Sequence, residues 1–223
     1  MNAKKNETLQ SSRFHLEKLP ERMAGTAPTL AKEQILFLNR KEAAKHFLEP
    51  LFRGVSRFGF SKGHFSLIDI IDELFTLLPG GHFTLSTWTA ARANLGRLQG
   101  IIESHPVASF RLLIDSTFQS RQPALLHALR GTYGKDSIRI TKNHAKFLLY
   151  SWQDYRLVIR TSMNLNHNPR FENIDLCDNP DLFNFIETLM NHIWESNSAD
   201  EQIHASTKDL ARQFQKLRPF SAC

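Results

Sequence analysis

A histidine and a lysine stand two residues apart in the segment NHAKFLLY (residues 143–150), which otherwise has the composition of a buried strand. Residues two apart on a strand project to the same face, so His144 and Lys146 are predicted to lie side by side. An imidazole can attack phosphorus or protonate a leaving oxygen, and an ammonium can bind the nonbridging oxygens of a phosphate. The pair therefore indicates phosphodiester chemistry.

A second group of polar residues occurs in YRLVIRTSMN (residues 155–164). By the same alternation, Arg160, Ser162 and Asn164 are predicted to share one face of this strand. If the two strands are neighbours, an imidazole, an ammonium, a hydroxyl and a carboxamide meet on one patch of sheet. The alternative, stronger for each residue taken singly, is an edge strand whose polar face only meets water.

Taken together, the motifs resemble the signature of the phospholipase D superfamily. That pattern runs H-x-K, four residues, Asp, then G-S-x-N and a later N-x-E. The matching stretches are His144-Ala-Lys146, Thr161-Ser162-Met163-Asn164 and Asn173-Ile174-Asp175. The order of predicted elements over residues 65–194 also resembles one half of the superfamily's α/β fold.

The resemblance implies a role for each matched residue. His144 is the nucleophile or general acid, Lys146 and Asn164 bind the phosphate, and Ser162 occupies the hydroxyl position beside it. Asp175 stands in the acid position that commonly orients the active histidine. Further candidates for substrate binding are Asn173, Arg160, His167 and Lys62.

Two positions depart from the superfamily pattern. Ser151 occupies the position of the motif aspartate, and the nearest acid, Asp154, follows three residues later in the predicted hairpin turn. Thr161 replaces the glycine before the serine. Because the motif aspartate has a largely structural role in the family, these departures leave the predicted catalytic pair in place.

The chain has a single H-x-K motif, since the histidines in KGHFSL, GGHFTL and LLHALR lack the lysine. The superfamily mechanism uses two histidines, one forming a covalent phosphohistidine and one protonating the leaving oxygen. The resemblance therefore implies a homodimer that brings two copies of His144 to a shared site. It implies no metal ion and no cofactor, because lysine and amide donors take the cation's electrostatic role.

A metal-dependent nuclease of the His-Asn-His type is an alternative interpretation. It is suggested by His167, which stands between Asn166 and Asn168. No pair of Cys or His residues at metal-ligand spacing accompanies it, so the phospholipase D interpretation is favoured.

Composition limits the class of protein. The 223 residues suffice for one sizeable domain with an appendage, and 41% hydrophobic and 22% charged residues are typical of a soluble globular protein. The apolar runs are too short to cross a bilayer, and no apolar region follows the first lysines as in a secretory signal. Two cysteines, Cys177 and Cys223, indicate no disulfide framework. We expect a cytoplasmic protein without a membrane anchor.

The net charge of +6 is concentrated near the N-terminus. Residues 1–62 contain twelve Lys and Arg against six Asp and Glu, and the rest of the chain contains sixteen of each kind. A basic arm favours nucleic acid, most directly DNA, as the partner. Trp152 is the tryptophan considered for stacking on a base, whereas Trp88 and Trp194 are predicted to serve core or hairpin packing.

Two other functions remain open at this point. One is a DNA-binding protein on the same scaffold that has lost turnover with the motif aspartate. The other is a phospholipid phosphodiesterase or phosphatidyltransferase, because a basic amphipathic helix over residues 29–52 could lie on an anionic bilayer.

Periodicity predicts an α/β fold with a mixed sheet flanked by helices. Residues 1–28 are predicted to form a tail, residues 29–62 a basic helix and flexible loop, and residues 63–223 a phospholipase D-like domain. Helices are predicted over residues 65–78, 91–105, 121–134, 179–196 and 200–217. Strands are predicted over residues 82–90, 110–115, 137–141, 144–150 and 155–164.

Overall fold

The computed structural model describes residues 33–38, 42–167 and 169–195. The strands are β1 Gln34–Leu38, β2 Ser56–Lys62, β3 His82–Thr87, β4 Ser109–Asp115, β5 Ile138–Thr141, β6 Phe147–Trp152, β7 Tyr155–Thr161 and β8 Phe171–Asp178. The helices are α1 Ala43–Leu48, α2 Leu67–Leu77, α3 Arg92–Ser104, α4 Ser116–Arg121, α5 Pro123–Tyr133 and α6 Pro180–Glu195. The strands form one mixed sheet in the order β1-β2-β8-β7-β6-β3-β4-β5.

The two faces of the sheet are covered by different helices. One face carries Leu148, Tyr150 and Ile159 and packs in the larger hydrophobic cluster with residues of α1 to α5; we call it the α2 face. The other carries Leu149 and Val158 and packs against α6; we call it the α6 face. Side chains alternate between the two faces along a strand, so the face of each other strand residue follows from its spacing to these residues.

The predicted α/β fold with a mixed sheet is confirmed, and most predicted elements are present. The helix α2 illustrates why the pattern was informative. Its buried residues recur at spacings of three and four, which is the period of one helix face. Strands β3 to β7 and helices α2, α3, α5 and α6 all fall where the periodicity placed them, within a few residues.

Two predictions for the N-terminal quarter are wrong. In its described part, the helix predicted over residues 29–52 is the strand β1 followed by the short α1. The flexible loop predicted over residues 53–65 contains β2, which lies between β1 and β8 in the common sheet. The tail over residues 1–28 and the helix over residues 200–217 lie outside the described residues.

The arginine at the centre of β2 shows why the loop prediction failed. Arg57 has no exposed surface. Its guanidinium donates to Gln34 Oε1 at 2.8 Å, to the carbonyls of Phe47 at 2.8 Å and Leu48 at 2.5 Å, and to the carbonyl of Pro50. A buried charge needs such partners, and here they come from β1 and from the end of α1. A basic residue that suggested solvent exposure is therefore a core residue.

Strand β8 and helix α4 were not predicted. The β8 sequence FENIDLCD contains three acids and an asparagine, so it lacks the composition of a buried strand. Its alternation is nevertheless regular, because Ile174 and Leu176 are fully buried between more exposed neighbours. The strand β8 joins β2 to β7 and thereby completes the sheet.

At one edge of the sheet, the ends of strands from distant parts of the sequence lie side by side. Strands β3, β4, β5 and β7 run in one direction, and β6 and β8 run against them. The carboxyl ends of the first group therefore meet the starts of β6 and β8. We call this the H-x-K edge, because residues 144–146 immediately precede β6.

Among the helices that the structure describes, none has the length and apolar character needed to span a membrane.

Candidate active site

A buried hydrogen-bond network fixes the loop that carries the H-x-K motif. Asn143 is 8% exposed, and its Nδ2 donates to Ser86 Oγ at 3.0 Å and to the carbonyl of Thr87 at 3.2 Å. Its Oδ1 accepts from the backbone N–H of Ala145 at 3.0 Å, and Ser86 Oγ donates to the Ala145 carbonyl at 3.0 Å. The residues flanking His144 are thus tied to the end of β3.

Asp115 connects the same loop to the end of β4. Its Oδ2 accepts from the backbone N–H of Asn143 at 2.9 Å, and its Oδ1 accepts from the backbone N–H of Thr117 at 2.9 Å. Burial alone raises the pKa of Asp115, but the hydrogen bonds from Thr117 and Asn143 outweigh it and hold the pKa below its usual range. The carboxylate therefore stays charged and joins the loop to the first turn of α4.

Within this loop, His144 and Lys146 are in contact. Lys146 Nζ lies 3.3 Å from His144 Nδ1 and donates to the His144 carbonyl at 2.8 Å. An ammonium has no lone pair, so the contact requires one on Nδ1 and places the proton of a neutral ring on Nε2. In this arrangement Nε2–H can donate a hydrogen bond, while the Nδ1 lone pair is occupied by Lys146.

The ammonium of Lys146 is partly buried, and its environment changes its acidity. Burial lowers the pKa of Lys146, and the negative charge of Glu172 opposes that shift without cancelling it. Glu172 starts the α2-face series of β8, because it alternates with the buried Ile174 and Leu176. The amine and the carboxylate are therefore close enough to interact electrostatically, although they stand 26 positions apart in the sequence.

Ser162 links Glu172 to the end of β7. Its Oγ donates to Glu172 Oε2 and accepts from the backbone N–H of Asn173 at 3.0 Å, while its own N–H donates to the Asn173 carbonyl at 3.2 Å. The hydroxyl is thus fully used within the protein. It holds the carboxylate at the H-x-K edge.

Asn164 follows in the same loop and has unused hydrogen-bonding capacity. Its Oδ1 is buried and has no hydrogen-bond partner among the residues that the structure describes. The backbone around it is fixed, because Leu165 exchanges hydrogen bonds with Thr89 and Ala91 in the loop after β3. A buried amide atom without a partner is rare and is consistent with a polar ligand at this position.

An aromatic ring lies beside His144, and a cation lies over that ring. The ring of Trp88 lies 5.3 Å from the imidazole, at an interplanar angle of 52°. The guanidinium of Arg121 lies over Trp88, 5.0 Å from its centroid, and is held by the Thr117 hydroxyl at 2.5 Å. Trp88 was expected in packing, yet it lies at the candidate site.

Arg160 and Asp175 lie on the other side of the sheet, so the prediction that Arg160, Ser162 and Asn164 share one face is wrong. Strand β7 ends at Thr161, and the alternation does not continue to the later residues. Arg160 is the Cα partner of both Phe147 and Asp175, which are on the α6 face. Its Nη2 donates to both Asp175 carboxylate oxygens, at 2.9 and 2.8 Å. The structure therefore brings Asp175 to Arg160, and Glu172 to the H-x-K edge.

The remaining candidates border the site. Asn173 contributes its backbone to Ser162, and by alternation its side chain belongs to the α6 face. Lys62 is exposed at the end of β2, opposite Phe171 in the register. His167 is exposed in the loop after β7. Trp152, considered for base stacking, lies at the far end of β6 and donates to the Pro79 carbonyl at 2.6 Å.

Glu172, Trp88 and Asn143 are the site residues that the sequence reasoning missed. The alternation of Glu172 with Ile174 and Leu176 was a usable signal, since it predicts a carboxylate on the buried face of a strand. Trp88 and Asn143 gave no such signal, because their roles depend on which strand ends meet. Over residues 33–38, 42–167 and 169–195, no group of three or more His, Cys, Asp or Glu residues could hold a metal ion.

Comparison with known proteins gives structural similarity only. No protein-family model and no curated protein matches the chain. Among solved structures, the chain is similar to a phospholipase D family member, Nuc from Salmonella typhimurium, at 16% identity over 63% of this chain and 93% of that one, with a TM-score of 0.43. It is also similar to NucT from Helicobacter pylori, at 9% identity over 64% and 98% of the two chains, with a TM-score of 0.46.

A third similar structure is much longer than this chain. It is polyphosphate kinase from Porphyromonas gingivalis, at 14% identity with a TM-score of 0.46. The similarity covers 62% of this chain but 26% of the kinase, so the chain spans about a quarter of the kinase's length.

Proposed function

We propose that this protein is a metal-independent phosphodiesterase that cleaves nucleic acid, most directly DNA, through a phosphohistidine formed at His144. One observation carries the proposal: the imidazole of His144 and the ammonium of Lys146 are in contact at a sheet edge where Ser162 places the carboxylate of Glu172. A nucleophile or acid, a fixed cation and a carboxylate together meet the needs of phosphoryl transfer.

In the first step, a nitrogen of His144 attacks phosphorus while the bond between phosphorus and the leaving oxygen breaks. A proton from a general acid goes to that oxygen, and water then hydrolyses the bond between phosphorus and nitrogen. The ammonium of Lys146 and the Nδ2–H of Asn164 donate to the nonbridging oxygens. When the phosphate attracts Lys146, the Nδ1 lone pair of His144 is released, so substrate binding itself activates the imidazole.

The general acid in this proposal is His144 of a second copy of the chain. The sequence has one H-x-K motif, and a two-fold axis beside the H-x-K edge supplies the second histidine. Glu172 takes the role of the orienting acid that motif spacing assigned to Asp175. This assignment rests on the effect of the Glu172 charge on the pKa of Lys146 and on the hydrogen bond that Glu172 accepts from Ser162.

Two features favour nucleic acid over phospholipid as the substrate. Trp88 offers an aromatic ring beside His144, and Arg121 offers a guanidinium over that ring; such groups hold a base and a neighbouring phosphate. The basic excess of residues 1–62 attracts a polyanion, although most of that arm lies outside the described residues.

The proposal is tested by cleavage of labelled single- and double-stranded DNA in excess EDTA. We expect the wild-type protein to cleave, and His144→Ala to reduce cleavage at least about a thousandfold, as loss of a covalent nucleophile does. His105→Ala, a change of a histidine outside the site, serves as the control and is expected to keep full activity. Full activity of His144→Ala would contradict the mechanism.

Two other outcomes would assign the protein differently. Salt-dependent DNA binding without cleavage would make it a DNA-binding protein on this scaffold. Release of headgroup from anionic phospholipid vesicles, with DNA left intact, would make it a lipid phosphodiesterase.

A further inference from the structure

The edge of the sheet opposite the H-x-K edge carries a row of polar side chains on the α6 face. Four neighbouring strands contribute one residue each: β7 Arg156, β6 Ser151, β3 His82 and β4 Ser109. The register makes them consecutive Cα partners across the sheet. His82 Nδ1 lies 2.9 Å from Ser109 Oγ. Such a row contains hydroxyl, imidazole and guanidinium groups and no carboxylate.

The row forms one wall of a cavity of about 280 Å³ beneath α6. Phe183 and Glu187 of α6 line the other side, and Arg111 enters from the next position along β4. Sites for drug-sized ligands typically measure about 300–1,000 Å³, so this cavity suits a small ligand rather than a polymer. Its lining residues lie on the α6 face toward the far edge of the sheet, so the cavity is separate from the site at His144.

Two arginines give the cavity a positive charge. Among the residues that the structure describes, Arg156 pairs with no carboxylate: its Nη1 donates to the carbonyls of Gln153 and Tyr155, both at 2.8 Å, and its guanidinium lies 5.9 Å from the ring centre of Phe183. Its Nη2 and Nε therefore remain available to a ligand.

Arg111 is the second cation and is held more firmly. It donates to Thr84 Oγ1 at 3.1 Å and to Asn191 Oδ1 at 2.6 Å. Glu187, the one carboxylate in the lining, lies 3.9 Å from Arg111 Nη2, which is longer than a hydrogen bond. Glu187 thus offsets part of the charge of Arg111, and the charge of Arg156 is left unbalanced.

The charge of Arg156 is unbalanced because its neighbour on the sheet is Ser151. It occupies the position where the H-x-K pattern has an aspartate, and it is the Cα partner of Arg156 on the same face. An aspartate there would face Arg156 across the strand pair and form an ion pair with it. The serine removes that charge and supplies a hydroxyl donor in its place.

From this arrangement we propose that the cavity is a binding site for a small phosphate-bearing anion, such as inorganic phosphate or a phosphomonoester. Arg156 forms the charged hydrogen bonds, Arg111 adds a second positive charge, and the hydroxyl of Ser151 donates to a remaining oxygen. The site goes beyond the proposed catalytic function and does not depend on it.

The test is a calorimetric titration of the full chain with inorganic phosphate, in a Lys146→Ala background that removes the proposed catalytic phosphate contact. We expect one binding event to persist in this background. Adding Ser151→Asp should weaken it at least about tenfold, the size expected for losing a hydrogen bond to a charged group. Arg156→Gln should have a similar effect.

Ser151→Thr is the matched control, because it keeps the hydroxyl, and it should bind phosphate like the parent. Circular dichroism checks that each variant is folded, and Ser151→Asp tests the site even where Arg156→Gln fails to fold. Absence of phosphate binding in the Lys146→Ala background, or binding that Ser151→Asp leaves unchanged, would overturn the proposal.

Discussion

At the residue scale, the central feature is a lysine whose charge depends on its surroundings. Lys146 binds a phosphate only as an ammonium, and burial lowers its pKa from the ordinary value of 10.5, while the charge of Glu172 partly opposes this shift. If Lys146 binds the substrate as proposed, we expect that binding to be lost as the pH rises through the lowered pKa of Lys146. This alkaline loss occurs at lower pH than for an exposed lysine.

Neutralising each of two acids in turn tests the effect of the Glu172 charge on the pKa of Lys146. Glu172→Gln removes the negative charge that opposes the shift, so the pKa of Lys146 falls further and the alkaline limb of kcat/KM moves to lower pH. Asp175→Asn is the matched change on the α6 face, where the carboxylate pairs with Arg160. We expect it to leave the position of that limb unchanged. Measurements of kcat/KM from pH 7 upward distinguish the two variants. If the alkaline limb moved only in Asp175→Asn, the orienting acid would be Asp175, as the motif spacing predicted.

The buried side-chain amide of Asn143 helps to hold the loop that carries His144. Asn143→Ala removes the donor to Ser86 and Thr87 and the acceptor of the Ala145 N–H. We expect the free energy of unfolding to fall by about 1–3 kcal/mol, because buried polar groups lose their partners. We also expect kcat to fall more than KM rises, since His144 is no longer held in place.

Urea denaturation and steady-state kinetics measure the two effects of Asn143→Ala. Lys142→Ala is the control, because Lys142 is the exposed neighbour in the same loop. Equal behaviour of the two variants would show that the network does not hold the loop.

At the scale of elements, β2 depends on a buried cation. Arg57→Leu leaves the carbonyls of Phe47, Leu48 and Pro50 without their donor and changes the volume of a fully buried residue. We expect the free energy of unfolding to fall by at least about 3 kcal/mol, since each buried acceptor without a partner costs roughly 1–3 kcal/mol. Arg97→Gln, which breaks an exposed ion pair with Asp69, should cost at most about 1 kcal/mol. Thermal or urea unfolding that shows equal losses would refute the structural role of Arg57.

The sequence predicted elements well where apolar residues recur at helical spacing or form a short continuous run. Helix α2 is of the first kind and strands β4 and β7 are of the second, and each was predicted. The prediction failed where tertiary contacts satisfy polar residues. Arg57 made β2 look like a loop, and the acids of β8 hid a strand whose buried residues are only Ile174, Leu176 and Asp178.

The same limit applies to the candidate site. His144 and Lys146 were predicted as a pair on one face of a strand; the structure brings them together, but in the loop that precedes β6 and not on the strand. The faces of Arg160 and Asp175 could not be predicted from the motif, because they depend on where β7 ends and on the register between β7 and β8. Spacing in the sequence predicts which residues within one segment are neighbours. Which residues of different strands are neighbours depends on the register between those strands.

At the scale of the whole molecule, the proposed mechanism needs two copies of a chain that has one H-x-K motif. In a homodimer with a shared site, one His144 forms the covalent bond and the other acts as the acid. The maximum amount of covalent intermediate is then one for every two chains. The mechanism thus predicts a stoichiometry as well as a position.

The most direct test is to quench a reaction with end-labelled DNA by alkali during turnover, and to locate the label by peptide mass spectrometry. The phosphohistidine mechanism predicts a nucleotide attached to His144, in at most one of two chains, and no adduct in Lys146→Ala. Cleavage that proceeds at full rate while no adduct forms on His144 would contradict it.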